Sequence, residues 1–309
     1  MPKKVLVVYY TQTGQLREIV SSITTPLAAE DDITLVFEEL KPKPGFPFPW
    51  PADQFFQAMP ESVKGIPCEL ETLSVSGEEN FDLIILAWQP WFLSPSIPIH
   101  AFFQLEAAKK MLPGKPVITL IGSRNMWVMA QEQIKKYITG ANGRLVGNIV
   151  LYDKNPNLLS VVSIIRWLIQ GKKDRYMGII PAAGVSDEDI LSSSRFGHLI
   201  VDAMKTGNYD SLQRDLVNKG AVNVLPGILM IEKRGIILFR LWANFILKKG
   251  SYGDKARQRR VRLFKYYLLA VLYLVSPFAS ILFFLIKPFR GKATNIFISV
   301  YLIMFKCFF

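Results

Sequence analysis

Three observations predict a doubly wound α/β fold on a five-stranded parallel sheet. Short unbroken apolar runs recur through the first half of the 309-residue chain, helix-patterned stretches separate most of them, and Pro113-Gly114 and Gly140 punctuate two helix ends. The first run, Val5 to Tyr10, shows no polar alternation, which fits a strand covered on both faces. It is also too short for the core of a signal peptide. Further strands are predicted at Ile33-Thr34-Leu35-Val36-Phe37, at Asp82 to Ala87, at Pro116 to Ile121 and at Gly147 to Tyr152. Helices are predicted over 15–29, 98–112 and 127–140. Between the second and third strands lies an insertion, 38–80. Its prolines at 42, 44, 47, 49 and 51 exclude a helix there, and Phe46, Phe48 and Trp50 alternate with them. A stiff apolar lid and a surface clamp are equally compatible with that pattern.

Half of the residues are hydrophobic and 12% are aromatic, which excludes general disorder. Two cysteines, Cys68 and Cys307, make neither a disulfide scaffold nor a four-cysteine zinc site, and they suggest a reducing compartment; no metal is expected. The net charge of +12 is uneven: 15 of the 37 Lys and Arg, but of the acids only Asp254, fall after residue 232. The sequence therefore divides into a near-neutral unit over 1–155, a helical extension over 156–226 expected to pack on it, and a basic, apolar region over 227–309.

Doubly wound sheets bind ligands beyond the carboxyl ends of their strands, at the switch point. The loop after the first strand reads Thr11-Gln12-Thr13-Gly14-Gln15 and runs straight into a helix. Amides at a helix start suit a phosphate, and Gly14 permits close approach. An ordinary turn capped by Thr13 is the competing reading. No dinucleotide or triphosphate glycine pattern is present, so a single phosphate is expected. The loops after the third and fourth strands carry Trp88, Gln89, Pro90 and Trp91, and Ser123, Arg124, Asn125, Met126 and Trp127. Three of the six tryptophans thus fall near the first loop, where they suit a flat heteroaromatic ligand or simply cover the end of the sheet.

These three loops together resemble the flavodoxin-like family, whose ligand is FMN. The resemblance covers about residues 3–152. It implies that Thr11, Gln12, Thr13, Gly14 and Gln15 hold the FMN phosphate, and that Trp88, Gln89, Pro90, Trp91, Ser123, Arg124, Asn125, Met126 and Trp127 flank the ring. The family often places a further Ser or Thr at the end of the first motif; this chain has Leu16. The whole plan, a Trp-rich sheet domain followed by an apolar basic tail, also resembles bacterial dialkylresorcinol condensing enzymes. That resemblance implies work on a lipophilic small molecule, with a ketosynthase or electron-transfer protein as partner.

Condensation itself needs an activated cysteine with His partners. Cys68 has no His nearby in sequence, and Cys307 lies in the tail. Oxidation of a lipophilic cyclohexanedione to a resorcinol suits a flavin site better. His100 and Tyr10 are the candidates for its proton transfer, and Arg124 for steadying negative charge. His198 reads as structural, and the same reading competes for His100. A tethered NAD(P)H:quinone reductase or electron carrier is a second expectation, and a flavin-free membrane scaffold a third.

The C-terminal region is expected to be α-helical and membrane-associated, with a buried pair of core helices as the competing reading. Residues 228–247 suit a helix lying in the bilayer interface. Residues 248–265 are strongly basic, 268–286 carry no charge, and 296–309 form a second apolar stretch. Basic residues flanking apolar runs point to membrane and not to nucleic acid. The larger basic cluster precedes the uncharged run, which places the N-terminal unit on the cytoplasmic side of the inner membrane. Basic residues on both flanks leave a hairpin in competition with a true crossing.

Overall fold

The computed structural model describes residues 2–275. Five parallel strands form the central sheet: β1 (Lys3–Tyr9), β2 (Ile33–Glu39), β3 (Leu83–Trp88), β4 (Pro116–Ser123) and β5 (Arg144–Tyr152), in the order β2-β1-β3-β4-β5. This is the flavodoxin-like version of the doubly wound sheet. In register, Val5 pairs with Leu83, and Ile84 with Val117. Alternate residues face opposite ways. Val5, Val7, Tyr9, Ile85 and Ala87 join one core. Leu6, Val8, Ile84, Leu86 and Trp88 join the other. Both faces are covered, which is why the strands read as unbroken apolar runs.

One face is covered by α4 (Ile97–Phe102), α5 (Glu106–Met111) and α6 (Val128–Gly140). The helix expected over 98–112 is thus two short ones. On the other face, α1 (Gln15–Ala28) lies beside α9 (Ser194–Thr206) and α10 (Leu212–Asn218). The approach of α1 to α9 is close: a Cβ on Gly197 would stand 2.2 Å from the carbonyl oxygen of Ile23. After β5 the chain forms α7 (Asn157–Gln170), then returns through α8 (Asp187–Ser192) to α9. Residues of α9 and α10 therefore belong to the sheet's own core.

The insertion pairs Pro42–Lys43 with Glu69–Leu70 and forms two short helices, α2 (Ala52–Gln57) and α3 (Met59–Lys64). The C-terminal helices α11 (Pro226–Leu247) and α12 (Gln258–Ala270) pack on it. Phe56, Met59 and Val63 share one cluster with Ile236, Val261 and Phe264. Arg257 is fully buried there: its Nε donates to Gln57 Oε1 at 2.7 Å, and Nη1 and Nη2 donate to the two Glu61 carboxylate oxygens at 2.5 and 3.0 Å. From α11, Glu232 accepts the Met129 N–H at 2.7 Å, at the start of α6. Residues 227–270 are therefore bound into the body of the protein. Among the described residues, no helix is long and apolar enough to cross a membrane. Most of the uncharged run 268–286, and all of 296–309, lie outside the described residues.

Candidate functional site

A cleft of about 160 Å3 lies beyond the carboxyl ends of β1 and β4, beside the loop that follows β3. That exceeds a packing defect, since interior voids seldom hold more than a water molecule. The strand order reverses between β1 and β3, so the cleft occupies the switch point.

Its first edge is the β1–α1 loop. Gly14 has a φ of +88°, which suits glycine, and its N–H donates to Thr11 Oγ1 at 3.1 Å. The turn leaves the amides of Thr13, Gln15 and Leu16 with no protein acceptor among the described residues. No atom lies within 4 Å of the place a Gly14 Cβ would take, so the loop is open on that side. The side chains of this loop serve structure. Gln12 Nε2 donates to Pro47 O at 2.8 Å and so fastens the proline-rich insertion to the loop. Gln15 pairs with the Val185 backbone, donating from Nε2 to its carbonyl and accepting its N–H, both at 2.9 Å. Leu16 replaces the expected hydroxyl residue because it is buried: it lines the cleft floor and packs under Gly122, where a Cβ would stand 3.1 Å from Leu16 Cδ1.

The segment after β3 forms a small hairpin, Pro90–Trp91 against Ser94–Pro95. Its tip residues, Phe92 and Leu93, have φ values of +48° and +62°. Tight hairpins need positive φ at both central residues, normally met by Asn or Gly, so this turn is strained. Packing holds it: the Phe92 ring lies 5.0 Å from Phe55 and 6.4 Å from Phe264, and the Ser62 hydroxyl is within 2.8 Å of Trp91 O and 2.9 Å of Pro95 O. Trp91 meets Tyr10, Phe46 and Trp50 edge-to-face at 5.8, 5.0 and 5.2 Å. Gln89, Pro90, Trp91 and Phe92 line the cleft.

The loop after β4 supplies Ser123 and Arg124 to the cleft. Ser123 Oγ is buried without a hydrogen-bond partner, and so is Asn125 Oδ1. Arg124 Nη1 donates to Asn157 Oδ1 at 2.7 Å and to Asn157 O at 3.2 Å, and Asn125 Nδ2 donates to the same Oδ1 at 2.9 Å. The start of α7 is thereby tied to this loop. Burial pulls the Arg124 guanidinium down to about 10, still charged at neutral pH, with nearby Asp153 acting in the opposite sense. Arg124 is the one charged side chain lining the cleft among the described residues.

Several expected site residues lie elsewhere. His100 is in the core: the ring atom Nε2 lies 2.9 Å from Ser62 O and Nδ1 lies 3.0 Å from the Tyr137 hydroxyl. The carbonyl requires N–H at Nε2, so Nδ1 accepts from Tyr137, and neither nitrogen is free. Burial pulls this imidazole down to about 4, so it is neutral. Tyr10 is buried, donates to Gln12 Oε1, and is pushed well above the usual phenol range by burial. Neither lines the cleft, and neither is placed to move a substrate's proton. Trp88 and Trp127 are buried in the core beneath the opposite sheet face; strand alternation turns Trp88 away from Ala87's side. Thr11, Gly14, Asn125 and Met126 shape the loops without lining the cleft. Burial pushes the Cys68 thiol up to about 11, which keeps Cys68 protonated and a poor nucleophile at neutral pH. Among the described residues, no group of His, Cys, Asp and Glu could hold a metal ion.

Sequence reasoning left the far wall undecided: the insertion reads equally as a lid or a clamp, and 158–170 as a core helix or the lining of a groove. Trp50 and Phe55 come from the insertion, and Ile164, Trp167 and Leu168 from α7. The Trp50 N–H donates to Leu168 O at 2.7 Å, which joins the two walls. Gly184 completes the rim with a φ of +84°; a Cβ there would stand 2.5 Å from Gln15 Oε1 and 2.8 Å from the Trp167 ring. The apolar character of 158–170 and the aromatic–proline alternation at 46–51 were the available signals, but neither names a direction.

No protein-family model and no curated protein matches the chain. Among solved structures it is similar to a flavoprotein from Lactobacillus acidophilus NCFM determined in complex with FMN: identity is 20%, over 48% of this chain and 93% of that one, with a TM-score of 0.38. A putative flavoprotein from Bacteroides uniformis is 17% identical over 55% of this chain and 98% of its own, with a TM-score of 0.38. A flavodoxin, WrbA-like protein from Agrobacterium tumefaciens is 12% identical over 66% and 98%, with a TM-score of 0.35. The fold class rests on the strand order and not on these likenesses.

Proposed function

We propose that the cleft holds FMN and that the protein is a flavin-dependent oxidoreductase acting on an apolar ring substrate. One observation carries the reading. Three loops converge at the switch point on a cleft whose polar lining is unsatisfied, namely the amides of Thr13, Gln15 and Leu16 and the buried Ser123 hydroxyl. An anion at a helix start and a hydrogen-bonding ring edge would satisfy both. The residues fit the group. The loop amides would take the phosphate, Ser123 and Gln89 the polar ring edge, and Trp91 and Trp167 its flat faces. A flavin bound there supplies hydride or single-electron transfer.

The chain's own contribution is binding and orientation. The aromatic walls exclude water, Arg124 offers positive charge, and Asn157 fixes where that charge sits. With His100 and Tyr10 both engaged in the core, no described side chain lining the cleft is poised as a strong base. That suits a substrate whose proton is already acidic. The finer reading is loss of a hydride and a proton from a lipophilic cyclohexane-1,3-dione to give a dialkylresorcinol, in keeping with the resemblance of the whole plan and with the apolar walls. The same walls would accept a quinone, so quinone reduction by NAD(P)H is the second reading.

The test is a titration of the purified chain with FMN, followed by flavin fluorescence, beside Gly14→Val. Saturable binding in the parent and loss in the variant are expected, because the valine would fill the open side of the loop and resist a positive φ. A parent that takes up no flavin refutes the proposal. With FMN bound, reduction by a cyclohexanedione and not by NADPH selects the first reading, and the reverse selects the second.

A further inference from the structure

The outer face of α11 exposes a stripe of apolar side chains where solvent would call for polar groups; at its end the Phe245 ring lies 4.0 Å from the Arg260 guanidinium of α12. Ile231, Leu238, Leu241 and Phe245 follow helical spacing and are exposed, with Ile237 beside them; Leu241 is 61% and Ile237 58% exposed. The inner face of the same helix is also apolar, with Leu229, Ile236, Ala243 and Ile246 buried. Exposed Arg234, Arg240 and Asn244 border this second apolar stripe, and an apolar stripe on a helix normally faces something that covers it. Contiguous exposed apolar surface of this kind marks an interaction site.

The charge around the face indicates what covers it. Arg234, Arg240, Lys248, Lys249, Arg259 and Arg262 are exposed on α11, on α12 and at the turn between them. The acids do not answer them. Glu232 is buried on the inner face, and Asp254 is turned back to accept the Ser251 N–H at 2.6 Å. Beyond α12 the sequence continues without charge to residue 286. A protein partner would have to supply an apolar groove rimmed by acids, whereas an anionic bilayer offers both by construction.

We infer that the α11–α12 hairpin docks on an anionic lipid surface, with Leu238, Leu241 and Phe245 entering the acyl boundary and the surrounding Arg and Lys meeting headgroups. The inference is independent of what the cleft holds. It makes the membrane contact a face of the folded body, continuous with the cleft through Phe239, Phe264 and Phe92, and not a tether hanging from it.

The test is flotation of the full chain with vesicles of phosphatidylcholine alone and of phosphatidylcholine containing phosphatidylglycerol. Anionic vesicles should capture the protein and neutral ones should not. Changing Arg234, Arg240 and Lys248 together to Gln should weaken capture about 100-fold, since each basic residue near an anionic surface contributes roughly fivefold. Changing Ile237, Leu238 and Leu241 together to Ser should weaken it as well, with an unaltered circular dichroism spectrum, because all three are exposed. Equal capture by neutral vesicles would overturn the inference. So would capture unmoved by both triple variants, which would assign binding to the residues beyond α12. A dimer that the serine variant dissociates would overturn it in favour of a second copy of the chain.

Discussion

Glu232 and His100 should contribute two opposed titrations that largely cancel in the protein's stability profile. Glu232 is fully buried, its Oε1 accepts the Met129 N–H, and its Oε2 has no partner. Burial pushes its carboxyl up from an ordinary 4.5 to about 7. As pH rises from about 4.5 to about 7, the unfolded chain releases this proton while the native protein keeps it, so stability falls by about 3 kcal/mol and then levels off. His100 works the other way. Its imidazole is pulled from 6.5 to about 4, so its contribution is present above 6.5 and is lost, by about 3 kcal/mol, as pH falls through 4. Over the shared interval the two slopes cancel. Glu232→Gln keeps an acceptor for Met129 and removes one titration. The difference in unfolding free energy between variant and parent, measured by urea denaturation, should move about 3 kcal/mol toward the variant between pH 4.5 and 8. The variant alone should then show the rising His100 slope between about pH 4 and 6.5. A difference curve that stays level across the range would refute the assignment of a buried, protonated Glu232.

Other perturbations test the packing and the cleft. Arg257→Met leaves Glu61 buried and unpaired, so it should cost about 3–5 kcal/mol by urea denaturation, with most of that recovered when Glu61→Leu is added. Gly197→Ala should cost about 2–3 kcal/mol, because its Cβ would press on the Ile23 carbonyl and α1 would have to move from α9. Gly184→Ala should weaken FMN uptake in a fluorescence titration at least tenfold, since the new methyl displaces Gln15 and the Trp167 ring. Removal of residues 227–309 should expose Phe56, Met59, Val63 and Phe92, and so yield an aggregating protein by light scattering.

The strands were legible because each is buried on both faces, which leaves a local mark in composition. The three loops were legible for a related reason: a switch-point loop must follow a strand, so finding the strand finds the loop. Which loop residues face the cleft was not legible. Trp88 and Trp91 are three residues apart, yet one continues the strand's alternation into the core while the other rides a hairpin into the cleft. His100 stands near the site in sequence because it follows Trp91 closely, but α4 turns it under the sheet, where Ser62 of the insertion claims it.

The sequence by itself determined the sheet, its order of strands and helices, the glycine-bearing loop between β1 and α1 and the basic, apolar end, because these follow from local patterns of burial and charge. The tertiary structure alone decided that the insertion and α7 close the cleft, that α9 and α10 complete the sheet's face, and that Arg257 and Glu232 bind the C-terminal helices into the body. Those outcomes depend on pairs such as Trp50 with Leu168, or Arg257 with Glu61. Their partners are more than a hundred residues apart, and a contact at that separation leaves no periodicity for a sequence to show.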